Sequence, residues 1–395
     1  MNVPKLRFKE FSGEWEQTYL KDVITRINRV SDDFAPSMMI TADSGFVLQS
    51  EKYSKDMTGE SLKKYITLFK GELAYNHGAS KLRPYGSTYV LKEKRAKVPF
   101  VYHCFAINQG ITDFYGFYLN RWEFGKKLKP LISSTARLDG LLNISFESIL
   151  NIKVNTPNLI EQEKIAEFLN LIDEKISIQK DIVVSLEKQK KGLMQKIFSQ
   201  ELRFKDDEGK EFPAWEEKKL GEVGEIITGK TPDTNKAEFW NGDIQFITPV
   251  DMGIGKYLRA SERTVTEKVK MKILPIGTVM VTCIGATIGK MAITTRMAIT
   301  NQQINTIYSD TANNEFLYYA LLNIVPQIRR MKSNTTMPIL NKSEFSALCI
   351  KLPCADEQNK IALFLSLLDE KIEKENACLE HWQQIKKGLL QQMFV

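Results

Sequence analysis

The feature that most constrains this chain is an internal duplication. "PNLIEQEKIAEFLNLIDEKI", from Pro157, returns as "PCADEQNKIALFLSLLDEKI" from Pro353, and "KKGLMQKIF" ending at Phe198 returns as "KKGLLQQMF" ending at Phe394. Both pairs lie 196 residues apart, with no gap between them. A second matched pair opens each half: "LRFKEFSGEWEQTYLKDV" (6–23) and "LRFKDDEGKEFPAWEEKKLGEV" (202–223), the latter four residues longer. Self-similarity at a fixed period marks a repeated structural unit. The chain therefore reads as globular segment (1–156), helix (157–199), globular segment (200–352), helix (353–395). The globular segments match at their ends and hardly at all between them, which implies one scaffold carrying two different surfaces.

The repeated stretches are helical. From Ile165, inward positions 165, 169, 172, 176, 179, 183, 186, 190, 193 and 197 alternate spacings of four and three, a heptad seam. Ile361, Leu365, Leu368, Ile372, Leu379, Trp382, Leu389 and Met393 repeat it. Both copies break the seam at the same places, Gln179 and Lys190 against Glu375 and Lys386. Polar seam residues cost stability but fix register, so shared breaks favour one defined pairing. About 40 residues at 1.5 Å each make a rod of roughly 60 Å. Two such helices in one chain pair most simply with each other, antiparallel under a two-fold relation between the halves. The expected fold is α+β: two globular domains alternating with two long helices that form an antiparallel coiled coil.

A hydrophobic fraction of 43% and a charged fraction of 26% are those of an ordinary globular chain. No apolar run approaches the ~20 residues of a membrane span, and the opening MNVPKLRFKE lacks the apolar core of a signal peptide. Five cysteines without a C-x-x-C pair read as reduced thiols of a cytoplasmic protein, and three scattered histidines give no metal site.

The net charge of +7 is unevenly placed. Residues 1–157 hold 23 Lys and Arg against 16 Asp and Glu, and residues 226–353 hold 15 against 9. The helix 158–198 is balanced, with 7 of each sign. Positive globular segments on neutral rods suit a polyanion. In the first segment, "YNHGASKLRPYGSTYV" (75–90) gathers Asn76, His77, Lys81, Arg83 and Tyr85, with Arg137 further on. In the second, Thr228, Lys230, Thr231, Thr248 and Lys290 accompany Asn301, Gln302 and Gln303. Lys and Arg hold phosphates, and Asn and Gln pair bidentately with adenine edges. Three consecutive residues cannot all face one way, so at least one of 301–303 is structural.

"GEIITGKT" (224–231) fits the phosphate-binding loop G-x-x-x-x-G-K-[ST] letter for letter. Ile226 and Ile227 favour a strand where that loop must curl, Glu225 puts negative charge where phosphate would dock, and Pro232 interrupts the helix that should follow. A strand entering a Gly–Lys–Thr–Pro turn is the better reading. No other stretch supplies a methyltransferase tetrad, a G-x-S-x-G elbow or a nuclease cluster, so no residue is nominated as catalytic.

The arrangement resembles the specificity (S) subunit of Type I restriction–modification systems. The resemblance covers essentially the whole chain and rests on the twice-occurring "P…EQ.KIA.FL..LDEKI…KKGL.Q..F". The strings "ITGKTPDTNKAEFWNGDIQFITPVDM", "LPIGTVMVTCIGATIGKMAIT" and "TNQQINTI" carry it further. It implies two target-recognition domains, each reading half of a split double-stranded DNA site. The helices would set the half-site spacing and dock two methyltransferase (M) subunits, with restriction/translocase (R) subunits joining. Ile165, Leu169, Ile172, Ile176, Ile361, Leu365, Leu368 and Ile372 are the seam residues assigned to spacing and docking. The chain itself is then non-catalytic and cofactor-free, S-adenosylmethionine, ATP and Mg²⁺ being used by its partners. Two other readings stay open: a stand-alone regulator on a split operator, which would bind tightly alone, and a coiled-coil scaffold without DNA contact.

Overall fold

A computed structural model describes residues 2–32, 34–42, 44–52, 64–133, 141–253, 255–332 and 339–395. Four helices organise it: α1 (Thr112–Leu119), α2 (Leu159–Phe198), α3 (Asn314–Lys332) and α4 (Ala355–Gln392). The chain divides into two compact units, Met1–Gln179 with Cys378–Val395, and Lys180–Ala377. The division cuts α2 and α4 near their middles, so each unit owns one half of each long helix.

In the first unit, Glu16–Tyr19 pairs antiparallel with Lys153–Thr156 at the foot of α2. A four-stranded sheet runs Ile24–Arg26, His103–Ile107, Leu73–Asn76, Ser87–Val90. Its main core joins Leu20, Leu73 and Phe105 to Phe114 and Tyr118 of α1, to Ile165 and Leu169 of α2, and to Met393 and Phe394 beyond α4. The Arg121 guanidinium lies 4.7 Å from the Phe394 ring centre and donates to the Val395 carbonyl at 3.1 Å.

The second unit repeats that frame. Glu216–Lys219 pairs antiparallel with Cys349–Leu352, and a five-stranded sheet runs Glu225–Thr228, Ile304–Tyr308, Val279–Thr282, Met291–Thr294, Tyr257–Leu258. A three-stranded sheet centred on Trp240–Ile247 completes it. Its core joins Leu220, Ile307, Phe316 and Leu321 to Ile197 of α2 and to Ile361 and Leu365 of α4. The apolar run 279–293 is strand, turn, strand, as its Gly-x-x-x-Gly interruption implies. Gly285 and Gly289 take φ of 72° and 81°, where side chains are strained, and a Cβ on Gly289 would meet Val325 at 2.7 Å.

α2 and α4 pack antiparallel within each unit. Asp173 pairs with Lys386 in the first and Lys190 with Asp369 in the second. The seam breaks at Lys190 and Lys386 are therefore filled by aspartates from the facing helix. Asn158 caps α2 by accepting the Glu161 N–H at 2.9 Å, and Gln200, at φ 63°, ends it.

Candidate nucleic-acid interface

In the second unit the strand Glu225–Thr228 lies antiparallel to Ile304–Tyr308, with Thr228 opposite Asn305. The chain then turns so closely past its neighbour that a Cβ on Gly229 would sit 2.2 Å from the Thr300 carbonyl oxygen. Lys230 N–H donates to that same carbonyl at 2.9 Å. No helix starts at Lys230 or Thr231, Pro232 is buried, and Glu225 is ion-paired with Lys272. The phosphate-loop geometry, buried strand into helix N-terminus, is thus not built here.

The turn gathers several of the nominated side chains. The Thr228 hydroxyl donates to Asn305 Oδ1 at 2.6 Å and that of Thr231 to Gln302 Oε1 at 2.9 Å. Asn301 Nδ2 donates to Gln303 Oε1 at 3.0 Å, and Gln303 N–H returns to Asn301 Oδ1 at 3.1 Å. Asn301 is buried and is the structural member of the trio, while Gln302 and Lys230 are exposed. Thr248 is one strand away, its hydroxyl on Asp251 at 2.8 Å. Lys290 enters from the neighbouring turn, its N–H on Thr282 Oγ1 at 2.9 Å. The turn offers Lys230 and Gln302, braced by bonds from Thr228 to Asn305, from Thr231 to Gln302 and between Asn301 and Gln303, with Lys290 on the neighbouring turn.

The first unit treats its nominated residues differently. Asn76 Nδ2 donates to the Ile40 carbonyl at 3.0 Å while its Oδ1 accepts Gly78 N–H at 2.9 Å. His77 is buried, its Nδ1 and Nε2 facing the Leu142 and Val101 carbonyls at 2.8 and 2.7 Å. Arg83 donates to the Ala42 and Asn120 carbonyls at 3.2 and 2.7 Å, and Tyr85 packs on Trp122 at 5.5 Å. These four hold the loop in shape and Lys81 stands exposed near its tip. Arg137 lies outside the described residues. Beside His77, burial pushes His103 below the ordinary histidine value of 6.5, against a bond to the Ile144 carbonyl. The unfolded chain then takes up a proton before the folded one does. Stability of this unit should be full above that value and fall as pH drops below it, and His103→Phe should flatten the slope in thermal melts taken as pH is lowered from about 7 to 5.

Four residues not nominated from sequence hold the frame: the repeated Glu-Gln at the start of each long helix. Glu161, fully buried, takes both Arg7 Nε and Nη2 at 2.7 Å, with Trp15 Nε1 at 3.4 Å. Glu357, also fully buried, takes Arg203 Nε at 3.1 Å and Nη2 at 2.6 Å, with Trp215 Nε1 at 2.9 Å. The carboxylate bond raises the pKa of each arginine above its already high value. Gln162 accepts Ile111 N–H just before α1 at 3.0 Å, and Gln358 accepts Asn313 N–H just before α3 at 2.9 Å. Their recurrence in both copies was the available signal.

Ile165, Leu169, Ile361 and Leu365 are buried in the cores, and Ile172, Ile176, Leu368 and Ile372 are half-buried along the seam. They bind helix to domain and helix to helix. The apolar side chains that α2 and α4 expose are others: Leu159, Ile160, Leu171 and Ile178 in the first unit, Ile182, Val184, Leu363 and Leu367 in the second. Leu171 and Leu367 are equivalent under the repeat.

The type I restriction modification DNA specificity domain matches this chain twice, at residues 41–188 and 214–381. The MjaIX specificity subunit of Methanocaldococcus jannaschii is 35% identical over 208 residues, covering 50% of this chain and 48% of that protein. The HindI specificity subunit of Haemophilus influenzae is 23% identical over 448 residues, covering 91% and 95%. The chain thus spans about half the length of the first relative and nearly all of the second. The crystal structure of a type I S subunit from M. genitalium shares the fold, with a TM-score of 0.62 at 16% identity, over 100% of this chain and 99% of that one. With the family matched in each half, on a doubled frame, the chain belongs to the type I restriction modification DNA specificity family.

Proposed function

We propose that this chain is the DNA sequence-recognition subunit of a type I restriction–modification complex, each unit reading one half of a bipartite double-stranded target. The observation that carries this reading is the family match falling once in each half of a duplicated fold. Lys230, Lys290 and Gln302 are the side chains we assign to DNA in the second unit, and Lys81 in the first. Methylation, ATP hydrolysis and cleavage, with S-adenosylmethionine, ATP and Mg²⁺, belong in this reading to M and R partners. Co-expression with a cognate methyltransferase subunit, followed by genome-wide mapping of methylated adenine, tests it. A split motif is expected, and modification without sequence preference would sink the reading. Tight specific binding by the chain alone would favour a stand-alone regulator instead.

Lys230→Ala should weaken binding about equally across sequences and lower the salt dependence of log K by about one, the signature of a lost phosphate contact. Salt titrations of the assembled complex measure it. The exposed Leu171 and Leu367 are assigned to docking the two methyltransferase subunits, one on each repeat. Leu171→Asp with Leu367→Asp should cut co-purification of those subunits at least about tenfold, since a buried unpaired charge costs more than 1.4 kcal/mol. Unchanged co-purification would place docking elsewhere.

A further inference from the structure

The seam lysines touch more than the facing helix. In the second unit Lys190 is ion-paired with Asp369, and its Nζ lies 5.4 Å from the ring centre of Tyr319 on α3. The Tyr319 hydroxyl donates to the other Asp369 oxygen at 2.5 Å. In the first unit Lys386 is ion-paired with Asp173, with its Nζ 5.5 Å from the ring centre of Phe117 on α1. Phe117 and Tyr319 hold the same place, sixth in "TDFYGF" and "NEFLYY". Each lysine therefore joins three elements: the helix that carries it, the facing helix, and the helix that opens out of the recognition domain. A seam lysine costs stability that leucine would supply, so its use lies in specifying one arrangement. Sliding the helix that carries it by a turn would take each ammonium from both its aspartate and its aromatic ring at once.

The two seats are unequally reinforced. In the second unit the Lys256 side chain, 2% exposed, donates to Glu315 of α3 at 2.9 Å and to Ser366 of α4 at 2.6 Å. In the first, Asn170 of α2 donates to Asp113 of α1 at 2.8 Å, and Asp113 meets Lys92, whose side chain is 59% exposed. Asp113 and Glu315 are equivalent, as are Asn170 and Ser366, but the lysine is buried only in the second unit.

We infer that Lys190 and Lys386 are positioning residues, each setting helix register and the seat of one recognition domain together. They thereby fix the half-site separation that the assembled complex accepts. This rests on the specificity-subunit reading above. The first unit, lacking a buried lysine at its seat, depends more heavily on Lys386 than the second does on Lys190.

The test uses the full chain co-expressed with methyltransferase subunits and reads methylated adenine across the genome. The wild type is expected to modify one half-site separation. Lys386→Met should raise modification at separations one base pair longer or shorter, relative to the main one, by on the order of tenfold. The half-site sequences should be unchanged, Lys386→Arg should restore the single separation, and Lys190→Met should act the same way more weakly. A wild-type separation preference in both methionine variants overturns the inference. So does a uniform fall in modification with preference unchanged, which makes the lysines ordinary stability contacts. A wild-type complex that modifies no bipartite site sinks the specificity-subunit reading itself, and this inference with it.

Discussion

Glu357→Ala should cost the second unit about 3 kcal/mol, and Glu161→Ala the first unit about as much, because each leaves a guanidinium without its carboxylate. Glu357 is fully buried and accepts two bonds from Arg203 and one from Trp215. Truncation removes all three, leaving the indole N–H unmatched and the guanidinium without its counter-charge, still held by the Phe212 and Pro213 carbonyls. Water can recover part of the loss, since the Arg203 side chain is 20% exposed, which holds the expectation to the lower end of the range for broken buried pairs. Glu357→Gln keeps the shape and an acceptor and should lose less, about 1–2 kcal/mol. Urea denaturation of the purified chain measures both. A loss below about 1 kcal/mol for the alanine variant would mean that the pair is hydrated, as surface ion pairs are. The same substitution should also free the start of α4 from the strand pair Glu216–Lys219 and Cys349–Leu352, which the Arg203–Trp215 segment leads into.

The second large effect concerns identity of the target. Exchanging residues 226–340 for the equivalent segment of another specificity subunit should replace one half-site completely and leave the other untouched. The segment begins inside the strand Glu225–Thr228 and ends where Leu340 N–H meets the Cys283 carbonyl at 2.8 Å. It therefore carries the Lys230 turn, Lys290 and Gln302, and leaves the Glu357 hub in place. It also carries Lys256, Glu315 and Tyr319 together, so the incoming segment must bring its own aromatic residue to the place of Tyr319, against the retained Lys190 and Asp369. A segment with a basic residue there would set a cation against Lys190 and fail to seat. Mapping of methylated adenine reads the result, and a change in both half-sites would refute the assignment of one unit to each.

The long helices were legible because a heptad seam is a local, repeated pattern, and Lys190 and Lys386 stood out as paired exceptions to it. The false nucleotide loop was legible for a similar reason, since Ile226, Ile227 and Pro232 speak for a strand and a turn without any tertiary knowledge. The Glu161 and Glu357 hubs were not, because a carboxylate near a helix start reads as surface charge until an arginine 154 residues away is known to face it. Lys256 was hidden in the same way. Burial holds its ammonium below the ordinary lysine value of 10.5, with the bond to Glu315 pulling the other way. Asn76, His77 and Arg83 show the converse. Their polar atoms are taken up by carbonyls of the segments around the loop, those of Ile40, Leu142, Val101, Ala42 and Asn120, which have to be satisfied somewhere, so a composition suited to reading bases is used largely to pin the loop to its neighbours.

The first unit is completed by residues made long after the rest of it. Met393 and Phe394 are 3% and 5% exposed in a core that otherwise belongs to residues before Gln179. Domains emerging from a ribosome usually close in the order they are made. Here the order is reversed: everything the second unit needs has been synthesised by Ala377, while the first waits, its core open beside Trp15 and Phe114, for the segment Cys378–Val395 to arrive. Loss of Met393 and Phe394 would therefore damage the unit whose other residues are made first.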